Sequence, residues 1–519
     1  MSLRRRLAQL LVLRASGYGL DHQRRYPRWE LSNSELQRWL SEGVGGVILL
    51  GGSAADLALR CSQLQEWASE PLLLCADVEE GVGQRFDGAS WLPPPLSLGR
   101  LWQREPSKAE ALAKAFGRCT AKEARALGLN WVLGPVCDVN NNPANPVINV
   151  RAWGETAQAA STLSCCFLEG LQSEGVLGCA KHFPGHGDTA SDSHLELPLI
   201  PHDLERLERI ELPPFQAAIT AGCASVMTAH LLIPALDAER PATLSKAVLT
   251  NLLRQQLGFE GLVVTDALVM EAIADRYGPG EAAALAFEAG ADLILMPADA
   301  TAALEALEAG FTSGRWPIER LEESLRRREQ ALQASQSSPS QVTNSLKQLA
   351  ELQSAHHGLQ QELLKASLEH QGGQLPANGG VNLIRVDNCL QCPALPLNAP
   401  ALIRPRAAGW RPWRIDDHSP PWELPQQKVL LQLFVRGNPF RAGANSEENW
   451  TERVQQLLER GHLAGLVVYG SPYLWQQLQA LLPAELPAAY SPGQMPAAQA
   501  LALAHLGLKD HPHEGGFTD

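Results

Sequence analysis

The chain has 519 residues, 45% hydrophobic and 19% charged, which is ample for a large core and too long for one ordinary domain. Its formal net charge of -13 argues against a general nucleic-acid binder, which needs a basic surface to displace counterions from phosphates. Small-molecule or oligosaccharide substrates are therefore the expected partners, and the sequence leaves the oligomeric state open.

At the N-terminus, Arg4 to Arg6 followed by LAQLLVL has the outline of a signal peptide. The apolar run is short, Arg14 interrupts the residues after it and no small-residue cleavage site is clear, so the stretch reads as a first strand. No segment approaches the ~20 apolar residues of a membrane span, and a soluble, cytoplasmic protein is expected. Strand-like runs then recur: LLVL from Leu10, VGGVILL from Val44, PLLLCADV from Pro71, WVLGPVCDV from Trp131, VLGCAKHF from Val176, SVMTAHLL from Ser225, GLVVTDAL from Gly261 and ADLILMP from Ala291. Between them lie helical patterns at Ser32–Glu42, Ala54–Ser69, Ser107–Leu127, Glu155–Glu174, Leu204–Ala221, Ser245–Leu257 and Glu281–Ala289. Eight strands apolar on both faces, alternating with helices, imply an α/β fold of the (β/α)8 TIM-type barrel class.

A charged helix at Ile318–Gln333 completes the barrel domain, 1–335. Residues 336–379 read as a linker holding one long helix, Leu346–Glu369. A smaller α/β domain is expected over 380–510, with strands VNLIRV, KVLLQLFV and LAGLVVYG and helices near Trp450–Arg460 and Tyr473–Leu481; 511–519 reads as a disordered tail. The domain's tryptophans, Trp410, Trp413, Trp422, Trp450 and Trp475, are expected mostly in packing. Ten scattered cysteines read as buried free thiols, and the lone C-x-x-C of Cys389 and Cys392 as a chance spacing.

A barrel places its active site at the C-terminal ends of its strands. Asp77 ends the third strand, Asp138 and Asn140 the fourth, Lys181 and His182 the fifth, His230 the sixth and Asp266 the seventh. The densest polar stretch is Lys181 to His194, KHFPGHGDTASDSH. Within it Asp192 and His194 lie two positions apart, so in extended backbone a carboxylate can orient an imidazole whose pKa suits proton transfer; a loop-stabilising hydrogen bond is the competing reading. Asp266, delivered to the rim from an apolar strand, is a candidate nucleophile, and with one mobile proton donor it forms a plan for retaining glycoside cleavage. Asp77, Arg85, Arg151 and Lys181 supply donors and acceptors for sugar hydroxyls. The H-x-x-x-H of His182 and His186 raises a metal-dependent barrel hydrolase as an alternative, but Pro184 and Gly185 disfavour the helix that would align the two imidazoles. No metal ligand is assigned and no cofactor is expected. A carbohydrate-binding protein without turnover is a third reading.

On these residues the first domain resembles glycoside hydrolase family 3, specifically its β-N-acetylglucosaminidase branch. The motif KHFPGHGDTASDSH carries most of the likeness, supported by GVGGVILL at Gly43, Asp77 to Phe86, NPVINVRAWG ending at Gly154, MTAHLLIPALD from Met227, PATLSKAVL from Pro241 and VVTDALVM around Asp266. The resemblance implies that Asp266 forms a covalent glycosyl-enzyme, that His194, oriented by Asp192, is the acid/base, and that Asp77, Arg85, Arg151, Lys181 and His182 bind the non-reducing sugar. His186 and Asp188 would shape the loop. The implied reaction removes terminal β-linked N-acetylglucosamine, in many relatives during recycling of cell-wall muropeptides. β-Glucosidase or glycoside phosphorylase activity within the same family is the alternative. The family's usual Asp-Gln-Glu-Gly-Gly-Arg-Val-Gln-Arg-Phe departs here at Val78, Glu80, Val82 and Gly83, a turn expected to line the sugar pocket.

Overall fold

The computed structural model describes residues 1–189, 197–335, 342–390, 392–436 and 448–509. The chain divides into two compact units, the first running from Met1 to Leu359 and the second from Gln360 onward. The first unit holds eight parallel strands: β1 (Leu11–Ser16), β2 (Gly46–Leu50), β3 (Leu73–Ala76), β4 (Trp131–Val132), β5 (Cys179–Phe183), β6 (Ser225–Thr228), β7 (Leu262–Val264) and β8 (Ile294–Leu295). They pair as β4-β3-β2-β1-β8 and β5-β6-β7. Single bridges at both seams, Trp131 to Leu177 and Val264 to Leu293, close the ring. The expected (β/α)8 barrel is thus the observed fold.

The barrel closes because its strands are apolar on both faces. One set of side chains, including Val12, Leu73, Cys75, Trp131, Cys179, Met227, Leu262 and Leu295, fills the interior, each burial being worth ~1.5–3 kcal/mol. The other set packs outward against the helices. Ser32 and Ser53 start two of these helices with reciprocal capping boxes to Glu35 and Asp56. The helices Pro106–Ala126 and Ala157–Gln172 approach so closely at Gly117 that a Cβ there would meet the Phe167 carbonyl at 2.0 Å. Buried Asp292, just before β8, accepts from Arg254 Nη2 at 2.5 Å, Arg327 Nη1 at 3.1 Å and Ser324 Oγ at 2.7 Å, tying the last helix of the barrel (Ile318–Ala334) to the strand ring.

The N-terminal reading needs correction. Leu3–Ala8 is a helix whose first turn is capped by the Ser2 hydroxyl, and β1 begins only at Leu11. The expected helix Leu204–Ala221 is broken. Pro213 and Pro214 supply no amide hydrogen, so the chain passes through a wide turn at Leu207–Glu211 and restarts as Pro213–Thr220. Short helices at Leu96–Trp102, Glu271–Tyr277 and Ala300–Thr312 escaped the periodicity reading. Six of the ten cysteines are buried and four half-buried, all as free thiols.

The second unit is a six-stranded sheet: β9 (Glu369–Gln371), β10 (Gly380–Arg385), β11 (Trp410–Ile415), β12 (Val429–Val435), β13 (Leu463–Gly470) and β14 (Ala488–Ser491), ordered β11-β10-β12-β13-β14-β9. All pairs are parallel except β14 with β9. β9 lies inside the segment read as a linker, and the helix there spans Val342–Ser367. β11 was not foreseen because Pro412 and its exposed middle suit an edge strand better than a core strand. Trp410, Trp450 and Trp475 are buried, and Trp422 packs beside Trp450 under the Arg453 guanidinium. The C-terminal tail lies outside the described residues.

Candidate active site

Four charged side chains converge where β3 and β5 end. Lys181, on β5, is buried, with Nζ 2.7 Å from Asp77 Oδ1 and 2.6 Å from Glu79 Oε1. Arg151, in a short turn after Asn149, grips Glu79 in a two-pronged pair: Nε to Oε2 and Nη2 to Oε1, both 2.8 Å. Its Nη1 donates to the Val147 carbonyl at 3.0 Å. Burial opposes the charge on Glu79, but Arg151 and Lys181 outweigh it and hold the carboxyl well below its ordinary value. Burial likewise works against the ammonium of Lys181, and Asp77 with Glu79 nonetheless raises its pKa. Both therefore stay ionised. Among the described residues two donors of Lys181 and three of the five N–H groups of Arg151 are occupied, which leaves hydrogens for a ligand.

Arg85 is exposed and lays its Nε on the Asp77 carbonyl at 3.2 Å. β1 adds Arg14, whose guanidinium lies 5.1 Å from the Tyr26 ring centre and 5.8 Å from that of Trp29. Burial lowers its pKa while Glu30, Tyr26 and Asp77 act the other way, which places Arg14 within the field of the same carboxylate cluster.

Asp138 organises the turn that follows β5. Its Oδ2 is 2.7 Å from His182 Nδ1, and its Oδ1 accepts from the amides of His182 at 3.1 Å and His186 at 2.7 Å. With a carboxylate on Nδ1, that nitrogen carries the hydrogen and the ring orientation is fixed. Burial disfavours the Asp138 charge, yet His182 and His186 bring its pKa below the ordinary value. His186 is fully enclosed, and burial pushes its pKa down to about 4 against the pull of Asp138 and Asp266, so its imidazole is neutral. Asn145 ties the turn from the other side, donating to the carbonyls of His186 and Gly187, both at 2.9 Å. At Gly187 any side chain would strike the Val139 carbonyl, 1.8 Å from where a Cβ would stand. Further on, Asp188 accepts from His202 at 2.9 Å and Arg206 at 3.1 Å.

Asp266 follows β7 and is half-buried. Its amide donates to Thr228 Oγ1 at 3.3 Å, and its Oδ1 accepts from the amide of Ala267 at 2.8 Å. His230 supports this segment: Nε2 lies 3.2 Å from the Ala267 carbonyl and so donates to it, while Nδ1 lies 2.8 Å from Thr243 Oγ1. Asp266 is also among the charges that oppose burial in setting the His186 pKa, although the two are eighty residues apart in sequence. Asp192 and His194 lie outside the described residues.

Asp77, Arg85, Arg151, Lys181 and His182 therefore gather at the C-terminal end of the barrel, the end at which Asp266 follows β7. The sequence reading missed Glu79, the anion at the centre of this group. Its spacing two residues from Asp77 was the available signal, since alternate residues of extended chain share a side. Asp138 was placed on the rim, but its three hydrogen bonds to the β5 turn depend on a tertiary contact. Of the altered turn, Val78, Glu80 and Val82 are buried, and Glu80 Oε2 accepts from Trp91 Nε1 at 2.9 Å. His182 and His186 sit on a strand and a turn rather than one helix, their Nδ1 atoms facing Asp138 and Thr189.

Comparison with known proteins agrees with this architecture. The profile of the glycosyl hydrolase family 3 N terminal domain matches residues 2–330, and that of the bacterial glycosyl hydrolase family 3 C-terminal domain matches 375–507. A beta-hexosaminidase of Thiobacillus denitrificans is 38% identical over 271 residues, covering 51% of this chain and 75% of the relative. A solved family 3 beta-N-acetylglucosaminidase from Paenibacillus sp. str. FPU-7 superposes with a TM-score of 0.75 at 28% identity, over 98% of this chain and 97% of that one. The solved beta-glucoside phosphorylase BglX, at 19% identity and a TM-score of 0.79 over 98% and 92% of the two chains, shares the fold.

Proposed function

This chain belongs to glycosyl hydrolase family 3, and from that premise we propose that it is a retaining β-N-acetylglucosaminidase. That it is a glycoside hydrolase follows from its relatives. The observation that carries the finer reading is the ionised Lys181–Glu79–Arg151 group beside Asp77, an array of fixed donors and acceptors suited to a sugar's hydroxyls, with the Asp266 carboxylate following β7 at the same end of the barrel. In this proposal Asp77, Lys181, Arg151, Arg85 and His182 hold the non-reducing sugar, Lys181 and Arg151 through their remaining hydrogens and His182 through Nε2. Asp266 attacks the anomeric carbon as the bond to the leaving oxygen breaks. His194, oriented by Asp192, gives its proton to that oxygen, then takes one from the water that releases the sugar from Asp266.

The likeness to beta-hexosaminidases supports an N-acetylated sugar, and muropeptides met in a cytoplasmic recycling route are the proposed natural substrates. Among the described residues no helix is long and apolar enough to cross a membrane. The test compares an aryl β-N-acetylglucosaminide with the matching aryl β-glucoside and follows the anomer first released by NMR. Preference for the N-acetyl sugar with a β-configured product is expected. Preference for the glucoside would move the chain to the other branch, and an α-configured product would exclude the covalent intermediate. Performing the reaction in phosphate and looking for a sugar phosphate separates hydrolysis from phosphorolysis.

A further inference from the structure

Away from the pocket, three side chains of metal-ligand type meet inside the first unit. Cys119 and Glu123 stand four residues apart on the helix Pro106–Ala126, on one face, and His356 reaches them from the helix Val342–Ser367. All three are buried, and their ligand atoms lie within 4.8 Å of one another. Among the described residues this is the one such grouping of three or more. His356 Nδ1 is 2.7 Å from Glu123 Oε1, and Ser90 Oγ is 2.6 Å from the same oxygen. The Ser90 amide donates to Glu123 Oε2 at 2.9 Å.

We propose that Cys119 Sγ, Glu123 Oε1 and His356 Nδ1 bind a borderline-soft divalent cation of the zinc type, fastening the helix Val342–Ser367 at His356 to the helix Pro106–Ala126 of the barrel. Mixed sulfur, nitrogen and carboxylate ligands suit such an ion, and i, i+4 spacing on one helix face is a familiar way to present two of them. Ligand atoms around zinc stand roughly 3.2–3.8 Å apart, so the Glu123–His356 contact need open by only about 0.5 Å. The ion takes the place of the hydrogen now shared between Nδ1 and Oε1, which moves to Nε2, with Ser90 Oγ or a water as the fourth ligand. Proton balance is simple. Burial raises the Cys119 pKa well above that of a free thiol, so without metal the group is S–H; binding forms the metal–thiolate bond and releases that proton to solvent. The imidazole binds neutral, its hydrogen on Nε2. The site is independent of which glycosidic bond the protein cleaves.

The experiment uses the full chain without a histidine tag, dialysed against zinc and then against buffer. About one zinc per chain is expected by mass spectrometry of the digested protein, as for a site that uses every ligand once. Cobalt in its place should give a thiolate-to-cobalt charge-transfer band in the near ultraviolet. Cys119→Ser and His356→Gln should each lose the ion and the band while keeping the far-ultraviolet circular dichroism of the parent, and zinc should raise the melting temperature of the parent but not of Cys119→Ser. Absence of retained metal in the folded parent would overturn the proposal. So would a retained ion that gives no charge-transfer band and survives Cys119→Ser, because it would then sit elsewhere, for example at His182 and His186.

Discussion

Glu79→Gln is the sharpest probe of the sugar pocket. Glutamine keeps the shape of the side chain but removes the anion that faces two buried cations. Two bonds from Arg151 at 2.8 Å and one contact from Lys181 at 2.6 Å lose their anionic acceptor, and the amide oxygen can replace only one of the two carboxylate oxygens. A hydrogen bond involving a charged group is worth ~1.5–3 kcal/mol, so losing one such acceptor costs about that much. The glutamine NH2 must also face a cation, which brings the total into the ~3–5 kcal/mol range for breaking a buried pair. If most of this falls on the placement of Lys181 and Arg151, kcat/KM drops by roughly 100- to 1,000-fold, since ~1.4 kcal/mol is a factor of ten. Part of it should also appear as a lower melting temperature. Because the folded pKa of Glu79 is depressed, its stabilisation is present above the unfolded value of about 4.3 and lost as pH falls through the lower folded value; the variant should lack this acid-side loss. Steady-state kinetics on an aryl β-N-acetylglucosaminide with parallel thermal melts provide the assay. A variant within about threefold of the parent in kcat/KM and equal to it in melting temperature would refute the role given to Glu79.

Asp266→Ala should abolish turnover of every β-N-acetylglucosaminide, and substantial residual activity would remove it as the nucleophile. His194→Ala should slow natural substrates far more than aryl glycosides whose leaving groups need little protonation; equal losses on both would make His194 structural. His186 is held neutral with a folded pKa of about 4, below the unfolded ~6.5, so its contribution is full above pH 6.5 and falls as acid protonates the unfolded chain first, by about 3 kcal/mol on reaching pH 4. Denaturant melts between those pH values should show a shallower fall in His186→Asn. Asp292→Asn leaves Arg254, Arg320 and Arg327 around a neutral group and should destabilise the first unit by ~3–5 kcal/mol, measured by denaturant unfolding; a loss under about 1 kcal/mol would mean that the cluster is solvated.

Much of the barrel was legible because its signal is local. A strand buried on both faces is a continuous apolar run, and eight such runs alternating with amphipathic stretches admit few other folds. What escaped was structure whose cause lies elsewhere in the chain. The edge strand Trp410–Ile415 carries Pro412 and exposed residues that only its position in the sheet makes acceptable.

By itself the sequence determined the number of barrel strands, the rim positions of Asp77, Lys181, His182 and Asp266, and through its motifs the family. The tertiary structure decided which rim residues meet. Glu79 became central because Arg151 and Lys181, 72 residues and more away, both close on it. Asp138 became an organiser because the β5 turn brings His182 and His186 to its two oxygens. Cys119, Glu123 and His356 formed one cluster only when a helix more than 230 residues downstream packed against the first two. Periodicity reports how a residue relates to its own element, whereas such convergence depends on the ring closing, and closure is a property of all eight strands together.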